Sequence, residues 1–500
     1  MSLASLDGTN GFVINGAGEF TSSGKSVSNA GDVNGDGIED LVISAPFADI
    51  NGNNSGSTYV VFGRAGPYNA TSSLSSINGS NGFRIDGASH GDYSGWSVSA
   101  AGDINGDGID DLIIGAPYAD PNGGYSGSAF VVFGKTDGFA PSISLSTLNG
   151  ANGFRMDGIS HDDQTGDSVS GAGDINGDGI DDFIIGAFYA NNTTNVSGAA
   201  YVVFGSTSAF QPSLQLSALD GGNGFRILGE DSSGEFGLSV SSAGDFNGDG
   251  IADLIIGAPH ANGDSVDSGK SYLVFGRSSG FPASLPLSTL DGSNGLRLIG
   301  ASLRDESGRS VSNVGDINAD GIDDVIVGAW KADNAGNASG SAYVVFGATV
   351  FSSSALLLSS LDGSNGFRLD GVSLHDYAGQ VVSSAGDVNG DGMDDLLVGV
   401  PNANPEFANA GSAYVFFGSS AAFPAVISLA NLDGFNGMRL DGVAEGDGAG
   451  RSVSAAGDIN HDGVDDLIIG ASNADVAGPV SGSSYVVFGR RDQIYKHGFE

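Results

Sequence analysis

The run Asp32-Val33-Asn34-Gly35-Asp36-Gly37-Ile38-Glu39-Asp40 recurs with its first Asp at positions 103, 174, 245, 316, 387 and 458, a constant step of 71 residues without insertion or deletion. Seven equal copies require seven equivalent supersecondary units, each burying its apolar face only against its neighbours. A chain of 500 residues would otherwise be expected to divide into several domains. The repeat instead predicts one body.

Each copy reads as four short strands separated by turn residues. In the copy at 88–158 these are residues 95–99, 111–115, 128–134 and 153–158. The second is a continuous apolar run, as in a strand buried on both faces, and the fourth alternates partly, as at an outer edge. A Ser/Pro/Gly-containing connection separates the third from the fourth. The pattern predicts an all-β chain, a seven-bladed β-propeller of four-stranded antiparallel blades. A solenoid is the rival architecture. Against it, the copies are equal in length, neither terminal copy is altered into a polar cap, and the ends are complementary. The chain opens with a fourth-strand sequence at 10–16, and its last copy stops after a third strand at 485–489. Residues 10–16 as the outer strand of the last blade would close the ring like Velcro and remove its free edges. The expected domain is 1–490, with blades near 17–87, 88–158, 159–229, 230–300, 301–371, 372–442 and 443–489 plus 8–16, then a C-terminal tail at 491–500.

Acidic residues outnumber basic ones by 59 to 18, for a formal charge of −41, while 40% hydrophobic residues and 28 Phe supply a core. Nucleic acid and anionic membranes would be repelled, so neither is expected as a partner, whereas divalent cations are. Without cysteine there are neither disulfides nor thiolate metal sites. Residues 1–10 lack the basic start and apolar core of a signal peptide, and no apolar run approaches the ~20 residues that span a bilayer. A soluble monomer without membrane insertion is expected, and the Gly-, Asn-, Asp- and Ser-rich composition suits an extracellular or cell-surface bacterial protein.

The recurring loop has side-chain oxygens at positions 1, 3, 5 and 9 and an expected backbone carbonyl at 7. Hard oxygen ligands in that number suit Ca2+, and Gly at position 6 permits the sharp turn that gathers them. The spacing is that of the first half of an EF-hand loop, with a strand where the helix would follow. Position 9 is always Asp, whereas position 8 is Glu39, Asp110, Asp181, Ala252, Asp323, Asp394 and Asp465 and so is not a ligand. The assigned metal ligands are therefore Asp32, Asn34, Asp36, Ile38 and Asp40; Asp103, Asn105, Asp107, Ile109 and Asp111; Asp174, Asn176, Asp178, Ile180 and Asp182; and Asp245, Asn247, Asp249, Ile251 and Asp253. The last three copies supply Asp316, Asn318, Asp320, Ile322 and Asp324; Asp387, Asn389, Asp391, Met393 and Asp395; and Asp458, Asn460, Asp462, Val464 and Asp466. Position 4 is Gly except at Ala319 and His461. Asn-Gly-Asp-Gly also makes a good turn without metal, but three carboxylates in each of seven loops would repel one another severely without cations. One calcium ion per blade is expected. Magnesium and zinc fit less well, since the six His are scattered and no His-Glu-x-x-His occurs.

The fourth copy carries Phe236-Gly237 before its first strand, Asp245-Phe-Asn247-Gly-Asp249-Gly in its loop and Gly257-Ala258-Pro259 after its second strand. It resembles an FG-GAP repeat of integrin α subunits and their bacterial relatives, with Gly-Ala-Pro again at 115–117 and related forms at 44–46 and 399–401. The resemblance implies calcium loops between strands one and two on the lower face, and adhesion or partner binding on the opposite face. There the loops at 47–55, 118–126 and 260–268 share little beyond polarity. Two departures stand out. The family carries calcium in only some blades, whereas all seven loops here are complete. It also places aromatics before the first-strand Gly, where Ser23, Ser94, Thr165, Phe236, Ser307, Ala378 and Ala449 stand here, so an integrin-type heterodimer is not expected.

A catalytic site should break the symmetry of the repeat. Trp96, His260, Trp330 and Lys331 do not repeat, but in sequence they form no acid/base constellation and read as isolated surface residues. Arg84, Arg155, Arg226, Arg297, Arg368 and Arg439 do repeat, as expected of cations that guard strand edges or pair with neighbouring acids. The sequence therefore points to a non-catalytic adhesion or recognition module of a larger surface or secreted protein, with a protein or glycan ligand opposite the calcium loops. A polysaccharide-active enzyme and a purely structural spacer are the alternatives.

Overall fold

The computed structural model describes residues 1–192 and 195–491. Of the C-terminal tail, 492–500 lies outside the described residues. Strands and single-turn 3-10 helices make up the regular structure described, and none of the helices is long and apolar enough to cross a membrane.

In the first blade the inner strand Val27–Gly31 is followed by the Asp-rich loop, then by Asp40–Ala45, Ser57–Val61 and Gly82–Asp86, all antiparallel. The six residues of the second strand are buried throughout, as its unbroken apolar run requires. A register shift between Asn29 and Gly31 bends the inner strand just before the loop, and the same irregularity recurs between Ala100 and Gly102 and at the other inner strands. In the second blade the inner strand is Val98–Gly102, three residues later than the run 95–99 suggests. Gly95 and Ser97 instead bond the backbone of Gly115 as the chain enters the strand.

Each blade has the four antiparallel strands expected, and most add a fifth. Six of the seven blade sheets have five strands, the fifth being a three-residue segment of the following repeat that pairs in parallel with the fourth strand. Ser142–Ser144 lies against Arg84–Asp86 in this way. The sheet of Gly437–Asp441 has four strands, and there Ser2 forms a parallel bridge to Asp441. These edge segments are three residues long and vary from Thr-Ser-Ser to Ala-Leu-Leu, too short for a hydrophobic period to mark them within the connection. They cover the fourth strand's free edge and hand each blade to its neighbour.

The ring closes by the same exchange. Gly11–Asn15 runs antiparallel to Ser483–Val487, with Phe12 opposite Val486, and Thr71–Ser73 adds the fifth strand. The cores lie between adjacent blades. One of them joins Phe12, Ile14 and Leu41 from the beginning of the chain to Ile459, Ile468 and Val486 from its end. Phe12 stacks on Tyr68 with ring centroids 4.5 Å apart, and Phe83 on Phe139, Phe154 on Phe210 and Phe225 on Phe281 repeat the arrangement. Ser23, Ser94, Thr165, Phe236, Ser307, Ala378 and Ala449 are all buried, bridging to a glycine of the neighbouring blade.

Candidate functional site

Each loop is folded by its own carboxylates. The position-1 Asp accepts hydrogen bonds from the backbone N–H groups of positions 5 and 6: Asp32 from Asp36 at 3.0 Å and from Gly37 at 2.7 Å. The position-5 Asp accepts from position 7, as Asp36 does from Ile38 at 3.0 Å. These bonds recur in the other six loops. Gly35 and Gly37 hold φ values of 71° and 84°, and Ala319 and His461 adopt the same left-handed conformation at 60° and 59°. Those two pay a strain of roughly 1–2 kcal/mol that glycine avoids.

Position 9 is different. Asp40, Asp111, Asp182, Asp253, Asp324, Asp395 and Asp466 are all fully buried. Each accepts from the backbone N–H of a glycine just beyond the third strand, Gly63 for Asp40 at 2.9 Å. Burial, reinforced by the loop's own position-5 and position-1 carboxylates, pushes each of the seven up to about 8. The side-chain amide of Asn34 leans on Asp40 at 3.2 Å, and in the sixth loop Asn389 donates to Asp395 while its buried Oδ1 has no partner. Among the described residues, no group of three His, Cys, Asp or Glu side chains forms a ready-made cage. The donor set nevertheless fits a hard cation: carboxyl groups at positions 1, 5 and 9, an amide oxygen lacking a donor, and a buried position-9 carboxyl that a cation would hold ionised at neutral pH.

Position 8 has a role that the sequence reading missed. Asp110 Oδ2 accepts from the backbone N–H of Asp32 in the preceding blade at 2.8 Å, and Asp181, Asp323, Asp394 and Asp465 make the same reach to Asp103, Asp245, Asp316 and Asp387.

At the opposite end of the inner strands, roughly 20 Å away at ~3.3 Å per residue, the molecule is no longer sevenfold. The residue immediately after the strand-entry Gly is in turn Lys25, Trp96, Asp167, Leu238, Arg309, Gln380 and Arg451, and all seven line one axial pocket of about 740 Å³. Trp96, His260, Trp330 and Lys331, expected to be isolated, meet there. Lys331 Nζ lies 2.6 Å from Glu306 Oε1, and the Trp330 indole N–H donates to Glu306 Oε2 at 2.8 Å. His260 stands between Glu235 and Glu306, 3.5 and 3.8 Å from their carboxylates. Burial pushes Asp167 up to about 6 against the pull of Lys25 and Arg309.

The recurring arginines of the fourth strands pair mainly with acids two residues on: Arg155 with Asp157, Arg368 with Asp370 and Arg439 with Asp441, at 2.6–2.7 Å, while Arg297 reaches Glu230 at 3.1 Å.

Five of the seven copies match the FG-GAP repeat, over residues 23–61, 94–132, 236–274, 378–416 and 449–487. The chain is 31% identical to integrin alpha pat-2 of Caenorhabditis elegans over 49% of its own length and 18% of that protein. It is 30% identical to integrin alpha-V of Gallus gallus over 49% of the chain and 20% of the relative. Similarity extends to phosphatidylinositol-glycan-specific phospholipase D of Bos taurus, 33% identical over 35% of the chain and 20% of that enzyme. The chain thus spans a fifth or less of the length of these curated relatives. With matching copies from the first blade to the last, the chain is a seven-bladed β-propeller carrying FG-GAP repeats.

Proposed function

We propose that the protein is a calcium-stabilised, non-catalytic recognition module of a larger surface or secreted protein, with one Ca2+ in each blade and a protein or glycan ligand on the face opposite the loops. The observation that carries the calcium reading is the fully buried position-9 carboxylate, present in all seven blades and pushed up to about 8. Asp32, Asn34, Asp36 and Asp40 and their counterparts would hold the ion, with the position-7 residues Ile38, Ile109, Ile180, Ile251, Ile322, Met393 and Val464 offering backbone carbonyls. When bound, calcium supplies the positive charge that the loops lack. The recognition reading rests on the resemblance to integrin alpha chains and on the contrast between a regular lower face and an irregular axial pocket above it.

An ion that binds only the folded chain stabilises it by mass action, about 2.7 kcal/mol per site at a hundredfold excess over Kd. Melting in millimolar calcium should therefore lie well above melting in EDTA. Coincident curves would sink the proposal.

A second reading, a polysaccharide-active enzyme, has one observation in its favour, the placement of His260 between Glu235 and Glu306. Burial also holds the Glu235 carboxyl above its usual range, as in a general acid. Turnover on a glycan panel that Glu235→Gln abolishes would replace the non-catalytic reading with this one.

A further inference from the structure

The axial pocket is where charge and chemistry depart furthest from the rest of the molecule. The chain has 18 basic residues against 59 acidic ones, yet Lys25, Arg309 and Arg451 converge on one ring that holds a single acid, Asp167. With Lys331 paired to Glu306, the three remaining cations outnumber Asp167 and Glu235, and a locally basic cleft on an acidic molecule gathers anions. The cations are not consumed by surface pairing: Lys25 lies over the Trp96 ring at 4.7 Å and Arg309 over the Trp330 ring at 5.9 Å, while the buried Nε of Arg451 has no hydrogen-bond partner.

We propose that this pocket binds an acidic sugar, its carboxylate held by Lys25, Arg309 and Arg451 and its ring face laid against the indoles of Trp96 and Trp330. The proposal rests on reading the protein as a recognition module. A guanidinium meets a carboxylate through two parallel N–H donors, which an isolated ammonium cannot do. Indole rings offer apolar area for the C–H face of a pyranose at little entropic cost. A bare inorganic anion would use the cations and leave both indoles idle, and a neutral sugar would leave the cations uncompensated in a half-buried site. The rim suits hydroxyl groups, since Glu235 and Glu306 are acceptors and Gln380 offers both functions. A space of about 740 Å³ takes a small oligosaccharide.

The test is titration calorimetry of the whole chain in calcium buffer with sodium glucuronate, galacturonate and N-acetylneuraminate, alongside glucose and sodium sulfate. At least one sugar acid should bind, with glucose weaker by about tenfold or more and sulfate failing to match it. Arg309→Gln and Arg451→Gln should each weaken that binding by about tenfold. Arg84→Gln, on an outer strand and paired with Asp86, should leave it unchanged. Equal binding of glucose, sulfate binding as tight as the sugar acid, or indifference to Arg309→Gln would each overturn the proposal. If the arginine variants fail to fold, the wild-type comparison of glucuronate with glucose and the variant Trp330→Phe decide it. Absence of sugar-acid binding in a protein that still melts higher in calcium overturns the pocket and leaves the calcium reading intact. Binding in a protein whose melting ignores calcium upholds the pocket and overturns that reading.

Discussion

The carboxylate of Asp110 reaches into the preceding blade and accepts a 2.8 Å hydrogen bond from the backbone N–H of Asp32. The approach is possible because residue 31 is glycine: a Cβ there would run into the Asp110 side chain. The third blade lacks this clamp to its neighbour, since Ala252 stands where the carboxylate would be and Gly173 faces its methyl group. Hydrogen bonds to charged groups contribute about 1.5–3 kcal/mol. Asp110→Ala should therefore destabilise the chain by on the order of 1–3 kcal/mol, read from denaturant titration in calcium buffer. Ala252→Asp should stabilise it by about 1 kcal/mol, a gain that equal midpoints for both chains would refute.

The clamp shows which features were legible in the sequence. Blade number and strand-two burial follow from a 71-residue period whose side chains repeat. Position 8 was set aside because it tolerates Ala252, yet its partner is a backbone N–H of another blade, which leaves no side-chain signature. The three-residue edge strands such as Ser142–Ser144 were missed for a related reason: they join the sheet through backbone pairing, and three residues are too few to carry a period. The axial pocket did leave a signal. The residue after Gly24, Gly95, Gly166, Gly237, Gly308, Gly379 and Gly450 changes chemical class from copy to copy, but only the closed ring brings Trp96 and Arg309 to one cavity.

Calcium content should count the loops. Replacing Asp36, which is exposed and already folds its turn through Ile38, removes a proposed ligand without opening the core. Asp36→Ala is expected to lower bound calcium from seven ions per chain to six, measured by atomic absorption after equilibrium dialysis. Seven ions retained in the variant would remove position 5 from the ligand set.

The pH dependence should reverse sign with metal. In EDTA the position-9 carboxyls are raised by burial to about 8 in the folded chain, against roughly 4 when unfolded. The folded state then binds more protons, so this contribution is complete below pH ~4 and is lost as pH rises through 8. Each group changes stability by up to about 1.4 kcal/mol per pH unit within that window. Melting in EDTA should accordingly fall between pH 6 and 8.5, whereas in calcium, which needs the ionised carboxylates, it should hold or rise. Parallel curves in the two buffers would contradict the assignment of Asp40 and its equivalents.

Closure of the ring makes the first strand a structural part of the last blade. Phe12 is buried, stacks on Tyr68 and meets Phe488 at 5.9 Å, so three segments far apart in sequence share one core around it. Truncating a buried Phe costs about 3–5 kcal/mol through lost transfer energy and the cavity left behind. Phe12→Ala should show that loss in chemical unfolding. Phe435, 72% exposed, supplies the control, since Phe435→Ala is expected to change stability by no more than about 0.5 kcal/mol. If Phe12→Ala were equally harmless, residues 11–15 could not be completing the last blade in solution, and the ring would be held shut by the other blade junctions alone.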